Sequence, residues 1–380
     1  MSSAGRTPRG GELPNVACNW FSSGRARQKA KADPPISPPP PEPQPEPVTP
    51  APIPSGPTDP TPPIRVTNEQ DGVLLNRGYS YWSQAFVLNE DVYAFVGSDA
   101  GRPLFFKVNI ASGTVTRLGS LLPYAGTGEG WYWNAIGRVI HPEGSRLMSS
   151  NPFSPEETVI FDIAGTHPGC RLWQAHSSDY GVAHSATVQQ IVESGPYPPI
   201  GTVAFRNDEQ QYFAADTYNL DESQVTADGR YLLIKSSPDD DNLFVDLETG
   251  KPWPWITKAD GALGHSDSGR GYMIGADRAR GACVRVDLPS LQRTELFPTW
   301  NLGHVAVRGD RILVSDAVNI NLFSDGQLRP ICAHGMVNPY PPEDPRSYDD
   351  QVFGNISHDE STVAFVSNKE GRMDLYIKIL

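Results

Sequence analysis

From Ile64 to the C-terminus, short apolar and aromatic runs alternate with polar turns, and helical periodicity is almost absent. The segment Ser80–Gly119 divides into four such runs, separated by turns that include "NED" and "ASGT". Ser223–Ile256 repeats this order with "ADGR" and "LETG" as its turns. Short runs rich in Val, Ile, Tyr and Phe between turn residues predict β-strands.

The four-strand unit recurs about seven times over roughly 310 residues. The other copies begin near "YWNAIGRV", "VAHSATVQ", "GHSDSGRG", "GHVAVRGD" and "GNISHDES". A unit of this size buries its apolar face only against its neighbours, so the ring must close. The sequence therefore predicts an all-β fold, a β-propeller of seven blades with four antiparallel strands each, over residues 64–380.

Two segments of different composition precede the repeats. Residues 1–33 are polar and mildly basic, and their apolar residues centre on "ACNWF". In residues 34–63 about half of the positions are proline, which predicts an extended polyproline II spacer of roughly 90 Å. Residues 1–33 are either a tail without function or an anchor in which Trp20 and Phe21 bind a larger protein assembly. The spacer's length favours an anchor, so an extended N-terminal arm is expected.

The net charge of −13 argues against a nucleic-acid partner. The four cysteines form no C-x-x-C motif, and no apolar run approaches the length of a membrane-spanning helix. No secretory signal is recognisable at the N-terminus, so a protein that acts outside a cell is expected to leave by another route, such as lysis or within a larger particle. The alternative is a cytoplasmic protein.

Two copies of the unit open with Gly-His, at His265 and His304. Aligning the units by their turns places polar residues at the start of each inner strand: Ser83 or Gln84, Asn134, His184, Ser223 or Gln224, His265, His304 and Asn355. Imidazoles gathered around one axis suit a divalent transition metal, with Asp267 or Asp349 and Asp350 as partners of the ligands. The alternative is architectural, because such histidines also join neighbouring blades.

The segments "ADGRYLLIKSS", "NLFVDLETG" and "ISHDESTVAFVSNKEGRMDLYI" resemble the TolB-type propeller repeat. Over about the last 160 residues, "GHVAVRGDRILVSD" and "QVFGNISHDE" resemble the oligogalacturonate lyases. This resemblance implies a seven-bladed propeller that cleaves pectin fragments by β-elimination with Mn or another divalent metal. It assigns His304 and Gln351 as metal ligands, whereas two further ligand histidines of the family fall on Phe353 and Asn355.

β-Elimination from a uronate needs a cation beside the carboxylate, a base and an acid. His184 or His265 is a candidate metal ligand or base, Tyr180 or Tyr272 a candidate acid, and Arg270 or Arg308 a candidate partner of the carboxylate. The candidate metal ligands are thus His265, His304 and Gln351, and the candidate catalytic residues are His184, Arg270 and Arg308.

A non-enzymatic propeller is the favoured hypothesis. Trp131, Trp133, Asn134 and Asn355 are candidate ligand-binding residues at a channel mouth, although tryptophan in propellers also packs between blades. The sequence predicts a propeller head on a stalk that recognises a surface polysaccharide, an acidic one among the candidates, or a protein partner. A phage virion appendage would have this layout, and the alternative is a metal-dependent polysaccharide lyase.

Overall fold

The predicted seven-bladed propeller is confirmed in a computed structural model of the chain. The structure describes residues 61–71, 74–75, 85–98, 104–119, 132–154, 156–193, 197–214, 220–236, 241–277, 279–298, 304–316, 318–337 and 352–380. Within these ranges the strands form seven antiparallel sheets, which are the blades. The expected arm, residues 1–33, lies outside the described residues, and so does the expected spacer, residues 34–63, up to residue 60.

The blades follow one another along the chain, and each runs from an inner strand outward. Two short strands come first, β1 (Ile64–Arg65) and β2 (Leu74–Leu75). Blade 1 has β3 (Ala85–Leu88), β4 (Asp91–Ser98), β5 (Leu104–Asn109) and β6 (Val115–Gly119). Blade 2 has β7 (Tyr132–Trp133), β8 (Val139–Glu143), β9 (Arg146–Ser150) and β10 (Glu157–Asp162). Blade 3 has β11 (Cys170–Ser177), β12 (Ala183–Gln190), β13 (Pro199–Arg206) and β14 (Glu209–Ala214).

Blade 4 has β15 (Leu220–Val225), β16 (Tyr231–Ser236), β17 (Asn242–Asp246) and β18 (Lys251–Pro252). Blade 5 has β19 (Leu263–Gly269), β20 (Tyr272–Asp277), β21 (Ala282–Asp287) and β22 (Gln292–Pro298). Blade 6 has β23 (Val305–Arg308), β24 (Arg311–Ser315), β25 (Asn319–Ser324) and β26 (Gln327–Ala333), and blade 7 has β27 (Asn355–Ile356), β28 (Thr362–Ser367) and β29 (Asp374–Ile379).

Blade 7 is completed by the N-terminal strand β1, which pairs with β29 and supplies the fourth, outermost strand. This pairing closes the ring with a strand from the other end of the propeller. Strand β2 is an additional strand that pairs with β4 of blade 1. Two single-turn 3₁₀ helices, Glu69–Asp71 and Lys258–Asp260, complete the regular structure, and no helix of the described residues is long and apolar enough to cross a membrane.

The apolar residues predicted to face neighbouring units do so. The buried apolar side chains of the described residues fall into seven clusters, and each cluster joins two consecutive blades. One cluster, for example, packs Leu233 and Phe244 of blade 4 against Leu263 and Met273 of blade 5. Burial therefore stabilises the ring as a whole, because removing one blade would expose both of its faces.

A shared turn joins the first two strands in several blades. In blade 4 the hydroxyl of Thr226 accepts a hydrogen bond from the backbone N–H of Tyr231, and Gly229 adopts a φ of +73°. Ser178 and Ser357 accept the same bond in blades 3 and 7. The "ADGR" and "SHDE" turns read from the sequence are these turns, and they lie at the end of the channel where the inner strands finish. We call this end the hairpin mouth and the opposite end the start mouth.

Candidate functional site

The sequence alignment of inner strands needs two corrections. His184 lies on β12, the second strand of blade 3, and Asn134 lies in the turn after β7. The inner strand of blade 3 is β11, which the alignment missed because its register shifts between Trp173 and His176, with Gln174 at a φ of +48°. The bulge breaks the period-two pattern that identifies a strand in sequence. As a result, His176 and not His184 is the histidine on the inner strand.

His265 and His304 are adjacent, as their equivalent positions in blades 5 and 6 predict. Their ring centres are 4.4 Å apart, and the ring of Phe353 lies 4.1 Å from that of His304. His265 is near the beginning of β19, and His304 directly precedes β23. These three rings therefore lie toward the start mouth, about 13 Å along the strand direction from Arg308.

The described residues near His304 do not fit the metal implied by the resemblance. Phe353 and Asn355 occupy the positions of two ligand histidines, and a phenyl ring offers no donor atom. Asn355 is fully buried on β27, and Gln351 lies outside the described residues. Across the described ranges there is no group of three or more His, Cys, Asp or Glu side chains that could hold a metal ion.

Trp133 is fully buried between blades 1 and 2, where its ring stacks on Phe86 at 5.4 Å and also contacts Phe95 and Phe105. Trp133 therefore packs between blades, which was the alternative to ligand binding for the tryptophans. Asn134 is buried as well, and its side-chain oxygen accepts the backbone N–H of Arg138 in the turn. Trp131, Trp20 and Phe21 lie outside the described residues.

The hairpin mouth brings together a polar group that we call the mouth cluster: Tyr132, Asp179, Asp267, Arg270, Arg308 and His358. Its centre is Arg308 at the end of β23, with 5 % of its side chain exposed. Arg308 Nη1 donates to Asp267 Oδ2 at 3.1 Å, and the guanidinium carbon lies 5.9 Å from the ring centre of Tyr132. Blades 6 and 2 are not neighbours in a ring of seven, so the contact with Tyr132 crosses the channel.

Asp267 is held by backbone as well as by Arg308. It is fully buried on β19 and accepts the backbone N–H groups of Ser268 and Val307, each at 2.7 Å. Burial raises the pKa of Asp267 to about 6, against the opposing effects of Arg308 and these hydrogen bonds. Burial also raises the pKa of Tyr132, so that phenol remains protonated at neutral pH.

Arg308 has a second, unused edge. Its Nε and Nη2 atoms are buried and have no hydrogen-bond partner among the described residues, whereas Nη1 donates to Asp267 and to the carbonyl of Val307. Nε–H and Nη2–H point in parallel from one side of the guanidinium, which is the geometry that binds a carboxylate through two hydrogen bonds. A buried donor without a partner costs roughly 1–3 kcal/mol, so this edge favours a bound acceptor.

Arg270 bridges the rim of the same mouth. Its side chain is 61 % exposed; Nη2 donates to the Tyr180 hydroxyl at 3.1 Å and lies 3.6 Å from Asp179 Oδ2. A series of backbone hydrogen bonds runs beneath this bridge, from Ala135 to Asp179, from Asp179 to Ala227 and from Ala227 to Gly269. Blades 2 to 5 are thereby tied together around the mouth.

The two arginines predicted to meet a carboxylate line one cavity of about 170 Å³ at the hairpin mouth. Asp179, Tyr272 and Asp310 belong to the same lining. Tyr272 donates its hydroxyl to the carbonyl of Gly309 at 2.7 Å, and burial raises its pKa to about 12. The structure thus brings Arg270 and Arg308 together, and separates them from His265 and His304. No motif in the sequence pointed to Asp179, Tyr132 or His358 as their neighbours.

The buried histidines near this mouth are neutral. Burial lowers the pKa of His176 to about 3 and that of His184 to about 4, and it lowers the pKa of His358 well below its usual value. His176 packs against Tyr132 with ring centres 4.4 Å apart, and its Nδ1 accepts the backbone N–H of Val225. These histidines are weak bases at neutral pH.

No protein-family model matches the chain, and no curated protein matches it in sequence. Among solved structures it is similar to an oligogalacturonate lyase from Vibrio parahaemolyticus, with 12 % identity, a TM-score of 0.59, and coverage of 82 % of this chain and 92 % of that one. An oligogalacturonate lyase in complex with manganese has 13 % identity and a TM-score of 0.61, over 83 % of this chain and 92 % of that one.

A chain of a mitotic checkpoint complex is similar at a TM-score of 0.50, with 12 % identity and coverage of 88 % of this chain and 99 % of that one. At this level of identity a shared fold does not carry a shared activity. The structural likeness shows that this chain has the β-propeller fold of the oligogalacturonate lyases.

Proposed function

We propose that this protein is a recognition propeller that binds a carboxylate-bearing saccharide at the hairpin mouth. The observation that carries the proposal is the unpaired Nε and Nη2 edge of buried Arg308. A uronate carboxylate would accept both hydrogen bonds, and Arg270 in the same lining would add a second positive charge.

The cavity limits what enters. A volume of about 170 Å³ is below the range of roughly 300–1,000 Å³ that holds a drug-sized ligand, so the cavity suits one sugar ring at the end of a chain. Asp310 in the lining is an acceptor for sugar hydroxyl groups. The edge of Arg308 is reached when Arg270 and Tyr180, both more than half exposed, move aside.

Binding is favoured over cleavage by the chemistry of the neighbouring residues. Abstraction of a uronate C5 proton requires a strong base, and the lowered pKa values of His176, His184 and His358 make them poor ones. Two of the ligand histidines implied by the lyase resemblance are replaced by Phe353 and Asn355.

The test is calorimetric titration of the full chain with galacturonate and with galactose, which lacks the carboxylate. We expect binding of galacturonate and none of galactose. Arg270→Ala should weaken galacturonate binding by about tenfold, because a charged hydrogen bond contributes roughly 1.5–3 kcal/mol. Arg329→Ala is the matched control, since Arg329 is an exposed arginine on β26, away from the mouth cluster.

Equal binding of both sugars, or no binding of either one or of oligogalacturonate, would overturn the proposal. Ultraviolet absorbance of an unsaturated uronate product, followed in the same samples with and without added Mn²⁺, tests the lyase alternative. Product formation would assign catalysis to the propeller.

The assembly role of the N-terminus stays a separate part of the proposal. Basic residues around Trp20 and Phe21, followed by the proline-rich spacer, support an anchor that holds the propeller at a distance from a larger particle such as a phage virion. This part depends on composition and is tested independently of the mouth.

A further inference from the structure

Asp179 is the acidic residue of the mouth cluster nearest to the exposed arginine. It lies in the turn between β11 and β12, with 16 % of its side chain exposed. Its Oδ2 is 3.6 Å from Arg270 Nη2, and its Oδ1 is 3.7 Å from Nδ1 of His358. Arg308 also acts electrostatically on this carboxylate.

His358 does not neutralise Asp179. The ring Nε2 of His358 lies 2.6 Å from the carbonyl of Trp133, and a carbonyl only accepts, so Nε2 carries the proton. In the neutral imidazole Nδ1 is then an acceptor, and it faces the carboxylate of Asp179. Two acceptors therefore face each other, and among the described residues that face Asp179 its charge is balanced by Arg270 and Arg308.

These are the arginines that the proposed ligand uses. We propose that Asp179 is the specificity-determining residue of the mouth. Its carboxylate interacts with Arg270 in the unliganded protein, and the carboxylate of a ligand must displace it. This inference rests on the proposed function. In the unliganded mouth Asp179 takes the position of a ligand carboxylate beside Arg270. The affinity for anions is therefore lower than two arginines without this carboxylate would give.

Protonation of Asp179 should raise the affinity for the ligand in the same way as removal of its carboxylate. Among the described residues, the charged or titratable groups that face it are Arg270, Arg308, His358 and Asp228. Asp267, which is bonded to Arg308, titrates close by with a pKa of about 6. Burial raises the pKa of Asp179, with Asp228 acting in the same direction and the two arginines opposing it. A sugar carboxyl group resembles an α-carboxyl group, whose pKa is about 3.5, so lowering the pH protonates Asp179, with its raised pKa, before the ligand.

The experiment compares galacturonate binding by the full chain with binding by Asp179→Asn. We expect about tenfold tighter binding by the variant, the equivalent of about 1.4 kcal/mol, because the carboxylate of Asp179 repels a ligand carboxylate a few ångströms away. Asp325→Asn is the matched control, since Asp325 is an exposed aspartate in the turn between β25 and β26, outside the lining of the cavity, and its effect should stay below about twofold. Asp179→Glu keeps the charge and should not bind more tightly.

A second measurement follows binding from about pH 7 to about pH 5. The affinity of the natural chain should rise more steeply as pH falls than that of Asp179→Asn, in which Asp267 beside Arg308 is still present to bind a proton. If the natural chain binds galacturonate but Asp179→Asn binds no tighter and the pH profiles coincide, the inference is overturned while the proposed function stands. If neither protein binds galacturonate or oligogalacturonate at any pH, both fail. If Asp179→Asn does not fold, Asp179→Ala removes the same charge and replaces it in both measurements.

Discussion

Arg65 and Asp374 are 309 positions apart in the chain, and their ion pair joins the first strand of the propeller to the last. Arg65 donates from Nε at 3.0 Å and from Nη2 at 2.6 Å to the same oxygen of Asp374. Asp374 is fully buried and also accepts from the Thr67 hydroxyl, while Arg372 lies 3.1 Å from its other oxygen. One carboxylate thus holds β1 against β29, where the ring closes.

Replacing Asp374 should therefore destabilise the whole propeller. Asp374→Asn keeps the size and the Thr67 contact but leaves two arginines without their anion. We expect a loss of about 2–3 kcal/mol in the free energy of unfolding, below the range for a fully buried pair because both arginines are partly exposed. Urea denaturation measures it. Glu143→Gln breaks the exposed pair with Arg146 and should cost less than about 0.5 kcal/mol; equal losses would contradict the role of Asp374.

The fold was predictable because its evidence is repeated. Alternation of apolar residues and turn signals occurs in every unit, so one irregular copy does not change the conclusion. The irregular copy was blade 3, where the bulge after Trp173 hides β11 and shifted the alignment to His184. A bulge changes the backbone locally and leaves little trace in the sequence. The predicted position of the inner-strand histidine was therefore wrong in blade 3.

The site was predictable in part. Equivalent positions in neighbouring blades placed His265 beside His304, and the offset from those histidines drew attention to Arg270 and Arg308. The length of the inner strands then separates the two histidines from the two arginines along the channel. The contacts of Arg308 with Tyr132 and of Asp179 with His358 cross between blades that are not neighbours. Sequence spacing within one repeat carries no information on such contacts.

Trp133 should stabilise the interface between blades 1 and 2. Trp133→Ala removes a fully buried ring that contacts Phe86, Phe95 and Phe105, and we expect a loss of about 3–5 kcal/mol. Thermal unfolding followed by circular dichroism measures it. Trp255 is 47 % exposed, so Trp255→Ala should change stability much less. An unchanged midpoint for Trp133→Ala would show that this interface does not limit stability.

Buried neutral histidines should make the propeller sensitive to acid. The pKa of His184 falls from about 6.5 in the unfolded chain to about 4 in the fold, so the unfolded chain binds more protons between these values. Stability is therefore lost as pH falls through this window. His176 and His141 act in the same direction, and Asp267, with its raised pKa, acts in the opposite one.

His184→Gln should reduce this pH dependence. Removing one such group lowers the slope of the unfolding free energy against pH by up to about 1.4 kcal/mol per pH unit. Urea titrations of both proteins at about pH 7 and about pH 5 give the slopes. An identical slope for the variant would mean that His184 is not buried as a neutral group.

Deleting residues 1–33 should separate anchoring from folding. The described propeller begins at Thr61, so the shortened chain should keep the unfolding midpoint of the full chain. It should no longer co-purify with the assembly that retains the full chain. Co-purification of both chains in equal yield would contradict an anchor, and Trp20→Ala with Phe21→Ala narrows the test to the predicted contact residues.

Arg308→Lys tests the geometry of carboxylate recognition apart from charge. Lysine keeps a cation beside Asp267, so the buried acid retains a partner, but an ammonium group has no parallel pair of N–H donors. We expect galacturonate affinity to fall by at least about tenfold, the equivalent of about 1.4 kcal/mol. Arg311→Lys, which alters an arginine paired with Glu360 outside the mouth cluster, should bind like the natural chain. Because Arg270 remains in every one of these proteins, natural affinity in Arg308→Lys would mean that charge alone attracts the ligand and that the free edge of Arg308 does not bind it.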